Sequence, residues 1–123
     1  SEMIRMAKAF CGDSRVEYFN GDFLSAGLPA LDAAVAFNSY PHFLDKPAFV
    51  EKTAQAIKID GILAIAHSSG KKTINSRHGG GSAAALSIPL ESAEAEAGRF
   101  KRFFAPETLI DNDGMYFIKL RRK

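Results

Sequence analysis

The sequence predicts a single α/β domain with a mostly parallel sheet, flanking helices and a closing antiparallel hairpin. Three observations carry this. Short apolar runs, Ala33–Phe37 and Ile62–Ala66, end abruptly in polar clusters, the pattern of strands buried in a parallel sheet. Between and after them, apolar residues recur at helical spacing, so strands alternate with helices. Near the C-terminus, Asn112-Asp113-Gly114 separates two β-type runs, a hairpin signal. A length of 123 residues suits one domain with one modest core.

Ser1–Cys11 reads as a helix with Ser1 as N-cap, Met3, Met6, Ala7 and Phe10 on one face, and Gly12 as its stop. Val16–Phe19 reads as a short strand ending at Asn20-Gly21-Asp22-Phe23. Asp22 there either closes a turn or offers a carboxylate at the strand's carboxyl end. Ser25–Leu31 is a loop leading into the central strand, opened by Asp32, whose run Ala33–Phe37 reads as buried on both faces. Beyond it, Asn38-Ser39-Tyr40-Pro41-His42 is rich in groups that hydrogen-bond, stack or carry a proton. Ligands of open α/β sheets bind beyond the carboxyl ends of the strands, so this is the first place to expect chemistry.

Asp45-Lys46-Pro47 is a helix start, a capping carboxylate followed by a first-turn proline. The helix runs to about Lys58, with Phe49, Val50, Thr53, Ala54 and Ile57 available for burial. Gly61 ends the connection to the second strand, Ile62–Ala66, which is followed by His67-Ser68-Ser69-Gly70. Lys71–His78 is a candidate short helix. Gly79-Gly80-Gly81-Ser82 reads as a mobile loop, not a phosphate cradle, because no strand leads directly into these glycines. Pro89–Phe104 reads as a helix with the core stripe Leu90, Ala93, Ala97, Phe100 and Phe104. Glu107–Asp111 and Met115–Leu120 form the closing hairpin.

The composition, 46% hydrophobic and 24% charged, is that of an ordinary soluble protein. The apolar runs are too short for a membrane span, and no signal peptide opens the chain. One cysteine, Cys11, excludes an internal disulfide framework and argues against a cysteine metal site. These features predict a cytoplasmic protein. A net charge of +2 is too small to imply a nucleic-acid partner, and the basic ending Lys119–Lys123 reads as a solvated strand end.

The segments SEMIRMAKAF, VEYFNGDFL, DAAVAFNSYPHFLD, AIKIDGILAIAHSSG and LIDNDGMYFIKLRR succeed one another across nearly the whole chain. Together they resemble the C-terminal two-thirds of a class I S-adenosylmethionine-dependent methyltransferase. The resemblance implies a Rossmann-like fold that lacks its first two strands at the N-terminus, with the glycine-rich motif absent. It implies S-adenosylmethionine as cofactor and methyl transfer to a small molecule in the intact protein, with little activity in this chain alone. Asp22 and Phe23 match positions that contact the adenine. Asn38, with Ser39 beside it, matches the position flanking the methionine part, and Tyr40, Pro41 and His42 match the mouth between cofactor and substrate. IKIDG corresponds to a turn usually written Leu-Lys-Pro-Gly-Gly, with Ile59 and Asp60 as departures and Gly61 kept.

Methyl transfer from a sulfonium needs alignment, and a base only when the nucleophile carries a proton. His42 is the candidate base, since imidazole exchanges protons near neutrality, or it is a loop histidine that packs. Tyr40 either positions a ligand or covers the core. His67, Asn75 and His78 form a second cluster, with Asn75 and His78 sharing a helix face. They are candidates for a substrate carboxylate, less so for a metal, or they cap a loop. The absence of the first two strands leaves Asp32–Phe37 with a bare edge, from which self-association, strand exchange or a rearranged sheet is expected. A binding or assembly module associating through that edge is the rival reading, and half of a nucleotide-binding dehydrogenase is a third.

Overall fold

The computed structural model describes residues 2–78 and 89–123. Helix α1 spans Glu2–Phe10, strand β1 Leu31–Phe37, helix α2 Lys46–Ala56 and strand β2 Ile57–His67. Helices α3 (Lys71–His78) and α4 (Ala93–Gly98) follow, then strands β3 (Phe104–Asn112) and β4 (Met115–Arg122). The strands make one sheet in the order β1-β2-β4-β3. β1 and β2 run parallel, whereas β2–β4 and β4–β3 are antiparallel. This is the α/β sheet with a closing hairpin that the sequence predicts. Ser1 and Gly79–Ser82, expected as a cap and a loop, lie outside the described residues.

The crossover from β1 to β2 is set locally. The Asp45 carboxylate accepts the Ala48 N–H at 3.0 Å, and a proline stands in the first turn of α2. Helix α2 buries Phe49, Val50, Thr53 and Ala54. At its end the Ile57 N–H bonds the Thr53 carbonyl and the chain passes straight into β2. Strand β2 is longer than its apolar run because the departure from the straight ladder is absorbed inside it. Asp60 takes a left-handed φ of 68°, and Gly61 sits where a Cβ would be 2.8 Å from the Asp32 carbonyl of β1. Gly61 thus permits close strand approach within β2, where it was expected to end the connection.

The core lies on one face of the sheet. Ala36 of β1, Leu63 and Ile65 of β2, and Tyr116, Ile118 and Leu120 of β4 pack with Phe49, Val50, Ala93, Ala97, Phe100 and Phe104. The expected stripe from Leu90 to Phe104 is buried throughout, but helix α4 itself stops at Gly98. Turn bonds such as Phe100 N–H to the Ala97 carbonyl (3.0 Å) carry the chain on to β3, which begins with Phe104.

Two strand expectations are corrected. Val16–Phe19 forms no strand, and Phe19 is 75% exposed. A strand needs a lateral partner, and none lies beside this segment among the described residues; the Tyr18 hydroxyl instead donates to the Cys11 carbonyl at 2.8 Å. Nor is β1 buried on both faces: Val35 is 67% and Phe37 60% exposed. Ala36, with Ala34 and, before the register shift, Leu31, faces the core, while Val35 and Phe37 lie on the other face of the sheet, which nothing covers among the described residues. Helix α1 keeps its apolar stripe of Met3, Met6 and Phe10 largely exposed.

The opposite edge is built differently. Strand β3 carries Pro106, a register shift between Pro106 and Thr108, and Glu107 in ion pairs with Lys119 and Arg121. These are devices that discourage further strand pairing. No described helix is long and apolar enough to cross a membrane.

Candidate functional site

The site is built around the carboxyl ends of the parallel pair. Asn38 follows β1 with φ 52°, a left-handed conformation that asparagine tolerates better than most residues. Its N–H donates to the Ala66 carbonyl at 2.8 Å, extending the β1–β2 ladder. Its Oδ1 accepts the Ser68 N–H at 3.1 Å, and its Nδ2 donates to Ser68 Oγ at 3.4 Å. One amide therefore latches the two strand ends together.

A 3-10 turn, Tyr40–His42, comes next. Tyr40 is completely buried, and its hydroxyl donates to Glu96 Oε1 at 2.9 Å. Glu96, itself buried, also receives Arg99 Nε at 2.8 Å and the Glu91 N–H at 2.9 Å. Beneath the turn, Lys46 is only 3% exposed. Its Nζ donates to the Tyr40 carbonyl at 2.6 Å and the Phe43 carbonyl at 2.5 Å, and lies 4.0 Å from the centre of the Tyr40 ring. Burial pushes the Lys46 ammonium down to a pKa of about 8, against the pull of the Glu96 carboxylate. Burial, then the charge of Glu96, raises the Tyr40 phenol far above its ordinary value.

This geometry corrects the expectation for Tyr40. It does not line a mouth; it covers the core, with its hydroxyl engaged by Glu96. Pro41 is buried as well, while His42 stands exposed on the turn.

Beside β1 is a cleft of about 120 Å³ whose walls include Phe23, Val35, Ser39, Phe43 and Phe49. The Phe23 ring centre lies 5.7 Å from that of Phe43 and 5.8 Å from that of Phe49. The cleft is well below the roughly 300–1,000 Å³ of common ligand sites, so it suits one ring-sized group. Asp22 caps the 3-10 turn Phe23–Ser25, accepting the Leu24 N–H at 3.1 Å. It borders a second hollow of about 520 Å³ between Phe19 and Leu28, which Phe23 shares. The structure thus brings Phe23 and Ser39 to one cleft, keeps Asp22 on its neighbour, and puts Asn38 at the strand ends.

The second cluster does not assemble into an open surface. His67 is buried at the end of β2, its ring edge-on to Tyr116 at 5.9 Å. Asn75 clasps the main chain of Leu90: Oδ1 accepts the N–H at 2.7 Å, and Nδ2 donates to the carbonyl at 3.1 Å. The expectation that these two reach a substrate is corrected, because His67 packs inward and both ends of the Asn75 amide hold a loop. His78 closes α3, and its side chain lies outside the described residues. No cluster of three or more His, Cys, Asp or Glu able to hold a metal occurs among the described residues.

Sequence reasoning missed Lys46, Phe43 and Ser68. Ser68 had a signal, since adjacent parallel strands bring their polar ends together; a lysine in a helix start carries none for burial.

The fold is that of class I S-adenosylmethionine-dependent methyltransferases. The N-methyltransferase NodS from Bradyrhizobium japonicum WM9 matches 98% of this chain over 68% of its own, with TM-score 0.72 and 14% identity. The PH0226 protein from Pyrococcus horikoshii OT3 matches 100% of this chain over 70% of its own, with TM-score 0.71 and 14% identity. The mitomycin 7-O-methyltransferase MmcR matches 99% over 39% of its own length, with TM-score 0.70 and 18% identity. NodS is also known in complex with S-adenosyl-L-homocysteine. No protein-family model matches the chain, and no curated protein matches it in sequence.

Proposed function

We propose that this chain is the C-terminal part of an S-adenosylmethionine-dependent methyltransferase acting on a small molecule. The observation that carries the reading is the latched parallel pair β1–β2, with Phe23 and Ser39 beside it, in a fold that NodS and MmcR share over nearly the whole chain. S-adenosylmethionine supplies a methyl group already activated on sulfonium. In this reading the chain contributes a wall and an orientation. Phe23, backed by Phe43 and Phe49, offers an aromatic face to the adenine. Asp22 offers a carboxylate beside it, and Asn38 and Ser39 fix the strand end facing the methionine part. His42, exposed on the turn, takes a proton from an acceptor that carries one. Tyr40 and Lys46 act indirectly by holding that turn.

Calorimetric titration of S-adenosylhomocysteine into this chain tests the reading. Saturable binding is expected, with Phe23→Ala weakening it about tenfold, in line with loss of a stacking face. A folded chain that takes up no S-adenosylhomocysteine would sink the proposal. A second reading, an assembly module that pairs through a sheet edge, is favoured by the outer edge of β1, which no strand pairs among the described residues, with Val35 and Phe37 exposed.

A further inference from the structure

In the helix layer that covers the core, α2 and the turn after α4 border a hollow of about 330 Å³, within the size range of small-molecule sites. It shares no wall residue with the cleft of Phe23 and Ser39. Pro47, Val50 and Phe103 give it apolar walls, and Lys46, Arg99 and Arg102 bring positive charge to it. The three cations are held differently. Lys46 is buried and spends its ammonium on the carbonyls of Tyr40 and Phe43 and on the Tyr40 ring, so it contributes charge and an alkyl stem but no donor. Arg99 is anchored through Nε, 2.8 Å from Glu96 Oε1, and its terminal nitrogens have no hydrogen-bond partner among the described residues. The Arg102 guanidinium lies 5.0 Å from the centre of the Phe103 ring and pairs with no carboxylate among the described residues.

We propose that this hollow binds a small carboxylate with an apolar body, its charged end at Arg99 and Arg102 and its body against Pro47, Val50 and Phe103. The argument is charge balance joined to shape. Three cations face two carboxylates, Glu51 in the wall and Glu96 buried behind Arg99, so one positive charge is left over. One monoanion restores the balance. Guanidinium groups present paired N–H donors that match the two oxygens of a carboxylate. Glu96 fixes one of them from inside and the Phe103 ring supports the other, which lowers the entropy lost when a ligand orders them. A second cation beside the same ring, Arg122 at 5.3 Å, adds to the positive field. The hollow is therefore a ligand site separate from the one proposed for the cofactor, and it stands whether or not the chain binds S-adenosylmethionine.

Titration of benzoate into this chain, followed by proton–nitrogen correlation NMR, tests the assignment, with benzamide as the neutral isostere. Saturable shifts are expected at the amides of Val50, Glu51 and Phe103, with a Kd on the order of 1 mM and benzamide about tenfold weaker. Arg102→Gln removes a cation that no carboxylate holds, and Glu51→Gln removes the opposing charge. Both side chains are exposed, and circular dichroism checks that each variant is folded. Arg102→Gln should weaken benzoate about fivefold and Glu51→Gln should tighten it about threefold. If Arg102→Gln fails to fold, Glu51→Gln decides. The site is overturned if benzoate moves none of those amides saturably, if benzamide binds equally well, or if the folded variants keep the wild-type affinity.

Discussion

Lys46 holds an ammonium beneath the turn that follows β1, with donors on the carbonyls of Tyr40 and Phe43. The folded chain binds this proton less tightly, at a pKa of about 8, than an unfolded chain, where lysine titrates near about 10.4. Between those values the unfolded state carries more protons, so stability rises with pH. Urea unfolding from about pH 8 to about pH 9.5 should show a gain of about 1–2 kcal/mol that Lys46→Met lacks. An equal slope in both proteins would exclude Lys46 as its source. Above about pH 10 the sign reverses, because the unfolded chain releases tyrosine protons that buried Tyr40 retains. At this scale the sequence was only partly legible. Asp45 and Pro47 announce the helix, but nothing in the tripeptide shows that Lys46 turns inward. Tyr40 looked like a site residue because it follows a strand end, and only the packing of Glu96 from a distant element reveals where its hydroxyl goes.

Secondary elements were legible where their apolar patterns are local. β1, α2, β2, α3 and the hairpin follow from short apolar runs, caps and a turn, each decided within a dozen residues. Val16–Phe19 has the same local signal but, with no strand beside it among the described residues, forms no ladder. The end of β2 shows how tightly elements meet. A Cβ on Gly70 would lie 2.3 Å from the Asn112 carbonyl oxygen and 2.8 Å from that of Asp113. Those carbonyls belong to the hairpin turn, which cannot yield without disturbing β3 and β4. Gly70→Ala should cost about 1–3 kcal/mol in urea or thermal unfolding. Gly98→Ala, where a Cβ meets nothing within 4 Å, is the control and should be neutral or slightly stabilising. Equal stability of the two variants would contradict the close approach.

Across the whole molecule, one sheet face carries the core and β2 lies between β1 and β4. Amide exchange should be slowest at Leu63 and Ile65, which are buried and paired on both sides, and fastest across residues 12–20, where no strand forms. Comparable protection in both regions would contradict this ranking. The order of strands and helices predicted the sheet class, but not which face the described residues leave uncovered, because coverage depends on groups far apart in the chain. The place of β4 has a further consequence during synthesis. Strand β2 meets β1 from upstream, but its other neighbour, β4, lies far downstream of it in the chain. Until Met115–Arg122 has left the ribosome, the middle of the sheet is one-sided, and Leu63, Ile65 and their backbone groups stand open to water and to chaperones. The middle of the sheet is therefore flanked on both sides only after β4 has been translated, however early the helices form.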